Sequence, residues 1–450
     1  MNARSNGNGS ACSKAFIKGC TLVAACLGFT ACSTLTIQPT TAPNAMDTTM
    51  GSYDSVDLSR YIIVTMTDAV HRQLVQDERV DSPTLPPLYA SFLSNLSSTY
   101  GLRRVADWPL NTLSIRCLVF EIADPSRLQT TLAALATERF VETVQPLSTF
   151  DTTGEILANA PADPAHDSIY NDPYHDLQPG LAVMQVPESH RWATGKGVRI
   201  AVIDTGLDTR HPELRDRIEG VRNFVDRDLR AFNADVHGTA VAGVIAAASN
   251  NGIGLVGVAP EAQLLGLKAC WRGDNANRAH CNTFTLAKAI NFAIDQSVDV
   301  INLSLGGPAD PLLARLVTKA AERNILVVGA VTAEWLEGFP AGVDGVIGVT
   351  DPSTAGNPLA ERYLSAPGTQ VLSTSPNNQY DFFTGSSFAT AEVTGIAALI
   401  RQRKAHLSAS IVKQLIMDTS RAEPRTVNAC EALARIVEQG SCGSAARVAL

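Results

Sequence analysis

The pattern of apolar and polar positions divides the chain into segments of different character. Residues 32–58 are mainly Thr, Ser, Pro, Gly and Asn, which predicts a flexible tether. In residues 59–150, short apolar runs alternate with apolar positions at helical spacing, which predicts a small α+β domain. Residues 151–169 return to Thr, Ala, Asp, Pro and Gly and are interpreted as a linker. Longer apolar runs in residues 170–450 predict a second, larger domain.

The small domain is predicted to have the β-α-β-β-α-β order of a ferredoxin-like unit. Apolar residues three and four apart indicate a helix over 88–100, with Gly101 as its stop signal. A second helix is expected to begin at Pro125 and to end near residue 137. Strands are expected at 61–66, near Val105, at 113–122 and at 141–144.

The large domain alternates continuous apolar runs of strand length with helical patterns. Strands that are apolar on both faces and alternate with helices indicate an α/β fold with a doubly wound, mostly parallel sheet. Functional sites in such sheets lie at the carboxyl ends of the strands. Strands are predicted at 198–203, 262–268, 298–303, 325–328 and 345–349, and helices at 238–249, 285–296, 311–323 and 388–402.

Three polar residues with catalytic chemistry lie at the edges of these elements. Asp204 directly follows the strand 198–203, whereas His237 and Ser387 each open a predicted helix close to a glycine. A serine hydroxyl becomes a nucleophile when an imidazole takes its proton, and a carboxylate fixes the tautomer of that imidazole. Each residue alone fits a cap or a turn. Together, on one doubly wound pattern, they predict an Asp-His-Ser triad.

Two other enzyme classes fit the sequence less well. An esterase nucleophile elbow reads G-x-S-x-G with the chain order Ser, Asp, His, but position 389 is Ala and the order differs. A dinucleotide-binding sheet requires G-x-G-x-x-G after its first strand. This chain has Asp204-Thr-Gly-Leu-Asp208 there instead.

Residues from about 170 to 430, about 60% of the chain, resemble a subtilisin-type serine protease, or subtilase. The resemblance implies a serine endopeptidase with Asp204 as the orienting acid, His237 as the general base and Ser387 as the nucleophile. Its substrates would be proteins or peptides. The matching segments are Ile203-Asp-Thr-Gly206, His211-Pro-Glu-Leu214, His237-Gly-Thr-Ala-Val-Ala-Gly243, Gly254-Leu-Val-Gly-Val-Ala-Pro260, Val300-Ile-Asn-Leu-Ser-Leu-Gly-Gly307 and Gly385-Ser-Ser-Phe-Ala389.

The resemblance also implies how substrate is held and how the enzyme is controlled. Ser304, Leu305, Gly306 and Gly307 would line the substrate site and pair with an extended chain. Residues 59–150 resemble the subtilase propeptide, an intramolecular inhibitor that the enzyme removes by cutting its own chain.

The sequence departs from the family pattern at two positions. Ala391 stands four residues beyond Ser387, where the family has Pro, and Ala suits a helix. Ala333 stands where the family has the Asn that donates to the oxyanion. Loss of such a donor costs about 10²–10³ in rate, although Thr332 or a water could replace it. An alternative hypothesis is therefore a catalytically impaired subtilase-like protein with a binding or scaffold role in the cell envelope.

The amino terminus predicts export. Residues 1–31 carry Arg4, Lys14 and Lys18 without an acid, then a short apolar stretch, which is typical of a signal peptide. The segment resembles a bacterial lipoprotein signal in which Cys32 would carry the lipid. Cys26 is a second possible site, and an ordinary cleaved signal is the alternative. The expected location is the cell envelope, in the outer membrane or on its periplasmic side, or secretion.

Charge and cysteine positions narrow the partners. A net charge of −8 argues against nucleic-acid binding. No apolar run beyond the signal reaches ~18 residues, so the lipid would be the only membrane anchor, and a monomer is expected. The nine cysteines fall into groups by their position: four lie in the first 32 residues, one in the small domain and four in the large domain. Two local disulfides are predicted within the large domain, Cys270–Cys281 and Cys430–Cys442, as an oxidising compartment allows.

No cofactor is required by the predicted chemistry. Ser249-Asn-Asn-Gly-Ile-Gly-Leu255 resembles a loop that holds structural calcium in some subtilases, with Asn251 and Glu213 as possible ligands. A helix-ending Asn-Gly turn explains the same residues. Calcium takes ~6–8 oxygen ligands, and the sequence shows two candidate side chains. The turn therefore explains these residues at least as well as a calcium site does.

Overall fold

The protein is described from a computed structural model, and the described residues are 57–67, 87–157, 169–226, 228–272, 279–352, 362–422, 425–437 and 441–442. The predicted signal over 1–31, Cys32 and nearly all of the tether over 32–58 lie outside the described residues. So does most of the predicted linker. None of the described helices is long and apolar enough to cross a bilayer.

Strands and helices are numbered in chain order. The strands are β1 Tyr61–Met66, β2 Leu102–Leu110, β3 Ile115–Ile122, β4 Val141–Pro146, β5 Thr149–Thr152, β6 Glu155–Leu157, β7 Arg199–Asp204, β8 Ile218–Asn223, β9 Gln263–Lys268, β10 Cys270–Arg272, β11 Ala279–Asn282, β12 Val300–Leu303, β13 Leu305–Gly306, β14 Leu326–Ala330, β15 Val346–Thr350, β16 Leu364–Ser365, β17 Val371–Ser375, β18 Gln379–Thr384, β19 Arg421–Ala422 and β20 Arg425–Thr426. The helices are α1 Pro87–Tyr100, α2 Leu128–Leu135, α3 Pro179–Val183, α4 Val186–Ser189, α5 Leu229–Asn233, α6 Val236–Ala246, α7 Thr283–Asp295, α8 Pro311–Glu322, α9 Ser386–Arg403, α10 Ala409–Thr419 and α11 Ala429–Ala434.

The small domain is an antiparallel sheet in the order β2-β3-β1-β4. Strand β1 is buried on both faces because alternate residues serve two cores: Ile62 packs with the residues of α1 and α2, whereas Ile63 packs with the large domain. On that second face the ring of Trp108 meets the edge of Phe284 on α7 at a centroid distance of 4.5 Å. The two domains therefore share an apolar interface.

The large domain confirms the predicted doubly wound α/β fold. Among the described residues, a seven-stranded sheet has the order β16-β15-β14-β12-β7-β9-β8, and every neighbouring pair is parallel. Helices α6 and α9 pack on one face, and α7 and α8 pack on the other. Strand β7 lies between β9 and β12, where the chain changes its direction of winding, so its carboxyl end is the expected crevice.

The start of the predicted linker forms strands. Residues 149–152 form β5 and residues 155–157 form β6, although their Thr- and Gly-rich composition indicates a loop. Strand β5 pairs with β11 and β13, and β6 pairs with β18. These partners lie more than a hundred residues further along the chain, so the strands depend on tertiary pairing rather than on local preference.

Both cysteine pairs of the large domain are joined in the structure. Cys270 and Cys281 lie directly opposite each other on β10 and β11. Cys430 on α11 is bonded to Cys442. Each bridge closes a loop of about a dozen residues, worth roughly 2–3 kcal/mol in the chain-entropy model. The first bridge therefore pins the hairpin that pairs with β5.

Candidate active site

Asp204 and His237 form the first half of the site. Asp204 is the last residue of β7, and His237 is the second residue of α6. Nδ1 of His237 lies 2.8 Å from Oδ1 of Asp204, and both side chains are largely buried. The same carboxylate oxygen accepts a hydrogen bond from the Thr205 N–H at 2.7 Å. The carboxylate thus orients the imidazole so that Nε2 is the nitrogen left to take a proton.

The pKa of His237 reflects two opposing effects. Burial lowers this pKa because desolvation disfavours the imidazolium, but the charge and hydrogen bond of Asp204, with Asp235, outweigh burial and raise it above the usual value. Nε2 of His237 is buried and has no hydrogen-bond partner among the described residues. A more basic imidazole with an open nitrogen is suited to general-base chemistry.

Ser387 is the second residue of α9 and is fully buried. Gly385, just before the helix, lets the segment around Thr153 approach closely: a Cβ on Gly385 would lie 2.2 Å from the carbonyl oxygen of Thr153. The Ser387 hydroxyl donates to the Ser304 carbonyl at 2.9 Å, and the Ser304 hydroxyl donates to the Ser387 carbonyl at 3.0 Å. The Ser387 hydroxyl must therefore turn away from Ser304 before His237 can take its proton.

The peptide bond between Thr153 and Gly154 lies against Ser387. The backbone N–H of Ser387 donates to the Thr153 carbonyl at 3.2 Å, and the Thr153 N–H donates to Oγ of Ser387 at 3.2 Å. A Cβ on Gly154 would lie 2.8 Å from the ring of Phe388 and 3.1 Å from the ring of His237. The carbonyl of this bond thus points to a helix N-terminus, and its amine side lies beside His237.

The segment 304–307 surrounds the chain that leads to this bond. Leu305 and Gly306 form β13 and pair with Thr152 and Asp151 of β5, and Ser304 contacts Ser387 as described above. Gly307 closes the same wall through reciprocal backbone hydrogen bonds with Phe339. The structure thus brings these four residues together with Asp204, His237 and Ser387 at one edge of the sheet.

A buried ion pair next to Asp204 and His237 does not follow from any motif in the sequence. Nζ of Lys268, the last residue of β9, lies 3.4 Å from Oδ2 of Asp235 and also donates to the Thr205 carbonyl. Burial raises the pKa of Asp235, and the Lys268 charge opposes that effect. Asp235 occupies the N-cap position of α6, two residues before His237, and its carboxylate is held by Lys268 rather than by a capping hydrogen bond.

The predicted oxyanion site has one donor in place. The Ser387 N–H contacts the Thr153 carbonyl, whereas Ala333 is exposed and offers no side-chain donor. The hydroxyl of the neighbouring Thr332 accepts from the Trp335 N–H at 3.0 Å. Among the described residues, no side chain donates a hydrogen bond to the Thr153 carbonyl.

Glu213 and Asn251 form a hydrogen-bonded loop anchor. The Glu213 carboxylate accepts hydrogen bonds from Nδ2 of Asn251 at 2.8 Å, the Leu255 N–H at 3.0 Å and the Tyr380 hydroxyl at 3.1 Å. Donors of this kind replace a cation, so the two residues do not fit a calcium ion in this arrangement. The described residues also contain no cluster of three or more His, Cys, Asp or Glu placed to hold a metal. A calcium requirement stays a prediction from the sequence alone.

Several residues of the site were missed by sequence reasoning. Thr153 and Gly154 lie in what the composition indicates to be a linker, and His280 lies in a region without a recognised motif. The Nδ1 atom of His280 contacts Oδ1 of Asp151 at 2.6 Å across β5 and β11. One sequence feature could have located this segment: Phe150, just before it, is a large hydrophobic residue beside a polar stretch, which favours a segment that packs against the rest of the protein.

Glu392, five residues beyond Ser387 on α9, carries a prediction about stability. Its side chain is buried, Oε2 has no hydrogen-bond partner among the described residues, and burial raises its pKa to about 8. Between pH 5 and 8 the unfolded chain has lost this proton and the folded chain has kept it. Stability should therefore fall by about 1.4 kcal/mol per pH unit as pH rises through this window.

Glu392→Gln should remove that loss. In a Ser387→Ala background, which prevents self-digestion, we expect denaturant unfolding to give a more stable Gln variant at pH 8 and nearly equal stabilities at pH 5. Glu431→Gln is the matched control, because Glu431 is exposed in the first turn of α11 and the same change there should have a small effect that is equal at both pH values. A Glu392→Gln effect that is the same at pH 5 and pH 8 would contradict a buried, protonated carboxyl.

A doubly wound sheet with a buried Asp–His pair and a serine at a helix N-terminus defines a hydrolase of the subtilisin type. The model of the Subtilase family matches residues 195–435. The Major intracellular serine protease of Bacillus subtilis (strain 168) is 40% identical over 251 residues, which cover 50% of this chain and 76% of that protein. Thermitase of Thermoactinomyces vulgaris is 34% identical over 261 residues, which cover 56% of this chain and 91% of that protein. The chain belongs to the subtilase family and is a serine-type endopeptidase.

Solved structures show the same fold. Fervidolysin from Fervidobacterium pennivorans, described as a keratinolytic enzyme related to subtilisin, superposes with a TM-score of 0.64 at 20% identity, over 83% of this chain and 60% of that chain. A protease from Pseudoalteromonas arctica superposes with a TM-score of 0.52 at 24% identity, over 60% of this chain and 100% of that chain. At these identities the likeness concerns the fold alone.

Proposed function

We propose that this protein is an exported serine endopeptidase that matures by cutting its own chain between Thr153 and Gly154. His237 takes the proton of Ser387, the hydroxyl oxygen attacks the Thr153 carbonyl, and Asp204 stabilises the imidazolium. The protonated His237 then gives its proton to the Gly154 amine, which leaves, and water releases the acyl group. The observation that carries the proposal is the 3.2 Å hydrogen bond from the Ser387 N–H to the Thr153 carbonyl.

The backbone pairing around the bond supports the same cleavage position. Strand β5 is held between β11 and β13 on one side of the bond, and β6 is held by β18 on the other. Extended chain on both sides limits the motion of the reacting carbonyl, and such positioning lowers the entropic part of a barrier. The same pairing suits strand addition by other protein or peptide substrates.

The small domain is proposed to act as an intramolecular inhibitor. The small domain has an apolar interface with α7 and α8, and polar contacts add to it. Arg315 of α8 contacts Glu142 of β4 at 2.9 Å, and the Thr112 hydroxyl of the small domain donates to Asp295 of α7 at 2.9 Å. These contacts keep β5 in the cleft after the cut. The inhibitory segment would then extend to Thr153, three residues beyond the boundary at 150 expected from the sequence.

Export is proposed from the signal-like residues 1–31, and the two disulfides support an oxidising compartment. Attachment through Cys32 is the finer part of this proposal. The relative from Bacillus subtilis has the word intracellular in its name, and that location is the relative's and is not carried over to this chain. Mass spectrometry of the fragment that ends at Thr153 tests the anchor: a lipid mass on Cys32 supports it, and the same fragment without a lipid on Cys32 contradicts it.

A catalytically impaired binding protein is the second candidate, and Ala333 is the observation in its favour. Both candidates share the fold and the occupied cleft. They differ in whether the bond at Thr153 is broken. The outcome of self-processing therefore separates them.

Substitution of Gly154 tests the cleavage position. Gly154→Val should slow self-processing at least tenfold, because the new Cβ would press on the rings of Phe388 and His237, and small displacements of catalytic groups can cost ~10² in rate. Gly154→Ala should give an intermediate rate. The measurement is the fraction of chain beginning at residue 154, followed over time by intact mass.

Gly220→Ala is the matched control, because a Cβ there has only an ordinary contact of 3.5 Å with Leu265. We expect it to mature at the wild-type rate. If Gly154→Val is cut at the same bond and at the wild-type rate, the bond is cut in a geometry different from the one in this structure.

A further inference from the structure

We propose that His280 is a specificity-determining residue that selects an acidic side chain at the third position before the scissile bond. The inference rests on the proposed function, since it takes β5 as a stand-in for substrate. If the bond after Thr153 is the one cut, Asp151 occupies that third position. The preferred substrates would then be extended chains with Asp or Glu there.

The contact is direct and lies between two opposed strands. His280 faces Asp151 in the β11–β5 register, and Nδ1 of His280 lies 2.6 Å from Oδ1 of Asp151. Because an ionised carboxylate can only accept a hydrogen bond, Nδ1 of His280 is the donor in this contact, and a hydrogen bond to a charged acceptor is stronger than one to a neutral amide. His280 therefore favours a carboxylate at this position over an amide, and an ammonium offers it no acceptor.

The neighbouring positions of β5 have no such charged partner among the described residues. The hydroxyl of Thr152 accepts from the Ala279 N–H at 3.2 Å. Phe150 is buried against Phe339, with the ring centroids 5.5 Å apart. Charge selection is thus confined to the third position, while the positions on either side select for size and polarity.

The backbone of His280 is held within its own hairpin as well as against β5. It lies opposite Trp271 in the β10–β11 hairpin, and the adjacent Cys281 is bonded to Cys270 directly across the same hairpin. A residue fixed on both sides loses little conformational freedom when it binds a partner. The side chains of His280 and Asp151 are 40% and 45% exposed, so the pair is screened by solvent and its effect should be moderate.

The test uses peptides cut by the self-processed enzyme after the fragment that ends at Thr153 has been removed from it. One contains Phe-Asp-Thr-Thr-Gly, and two others replace Asp by Asn or Lys. We expect kcat/KM about three- to fivefold higher for Asp than for Asn, lower still for Lys, and a smaller difference in high salt. His280→Gln should remove the Asp preference, and His280→Glu should favour Lys. His406→Gln, which removes an exposed histidine elsewhere, should keep it.

Equal cleavage of the Asp and Asn peptides by wild type, or an Asp preference that survives in His280→Gln, would overturn this inference while leaving the proposed function intact. Failure of wild type to cut any of the peptides between Thr and Gly would overturn the proposed function and this inference together.

Discussion

Replacing Ser387 by Ala should leave the chain at full length and abolish its peptidase activity. The Ser387 oxygen is the only atom in the proposed mechanism that forms a bond to the Thr153 carbonyl, so the acyl intermediate is lost with it. In subtilisin, removal of the nucleophile costs about 10⁶ in kcat. The measurements are intact mass over days, turnover of a peptide substrate, and labelling by a serine-reactive phosphonate. In the variant we expect no loss of mass from cleavage at this bond, no turnover and no labelling.

The neighbouring Ser386 provides a matched control, since both are buried serines in the first turn of α9. Oγ of Ser386 lies 2.9 Å from Oγ1 of Thr153, so Ser386→Ala should change activity by at most a few fold. If processing continues in Ser387→Ala but stops in Ser386→Ala, the nucleophile is Ser386 and not Ser387. Processing in both variants would mean that another protease cuts the chain.

Ala333→Asn should raise kcat/KM by about 10²–10³. An asparagine amide aimed at the developing oxyanion is worth roughly 2.7–4 kcal/mol where it is present, and position 333 lacks that group. The Ser387 N–H is the donor already in contact with the Thr153 carbonyl, so the added amide would supply a second. The effect should be in kcat, since an oxyanion forms only in the transition state.

Ala333→Asp is the control with nearly the same shape. It has no N–H to donate, and its negative charge would oppose the oxyanion, so its rate should be at or below that of wild type. Equal rates for Ala333→Asn and Ala333→Asp would show that residue 333 does not face the oxyanion. Thr332 would then be the residue to change.

The sequence predicted the parts of the site that are tied to regular elements. Asp204 ends an apolar strand, and Ser387 opens a long helix, so periodicity alone placed both near one edge of a parallel sheet. The helix bounds differ from the expected ones by up to three residues, as with α6, which begins at Val236 and ends at Ala246. Such ends depend on capping rather than on the apolar pattern.

The occupied cleft could not be predicted in the same way. Strands β5 and β6 have no strand pattern of their own, and the hydrogen bonds of their backbones go to β11, β13 and β18. The contact between His280 and Asp151 spans 129 positions in the chain. The calcium prediction from Glu213 and Asn251 stays a prediction, and the sequence motif did not show that the Glu213 carboxylate accepts hydrogen bonds from N–H and O–H donors in the fold.

The intact mass of the purified wild-type chain tests the central claim most directly. Self-processing at this bond gives a large fragment that begins at Gly154 and contains the two disulfides, together with a separate fragment that ends at Thr153. Addition of Ser387→Ala chain to mature enzyme would show whether the cut also occurs between molecules. A wild-type chain that stays uncut at this bond under all conditions, or that is cut only elsewhere, would contradict the account.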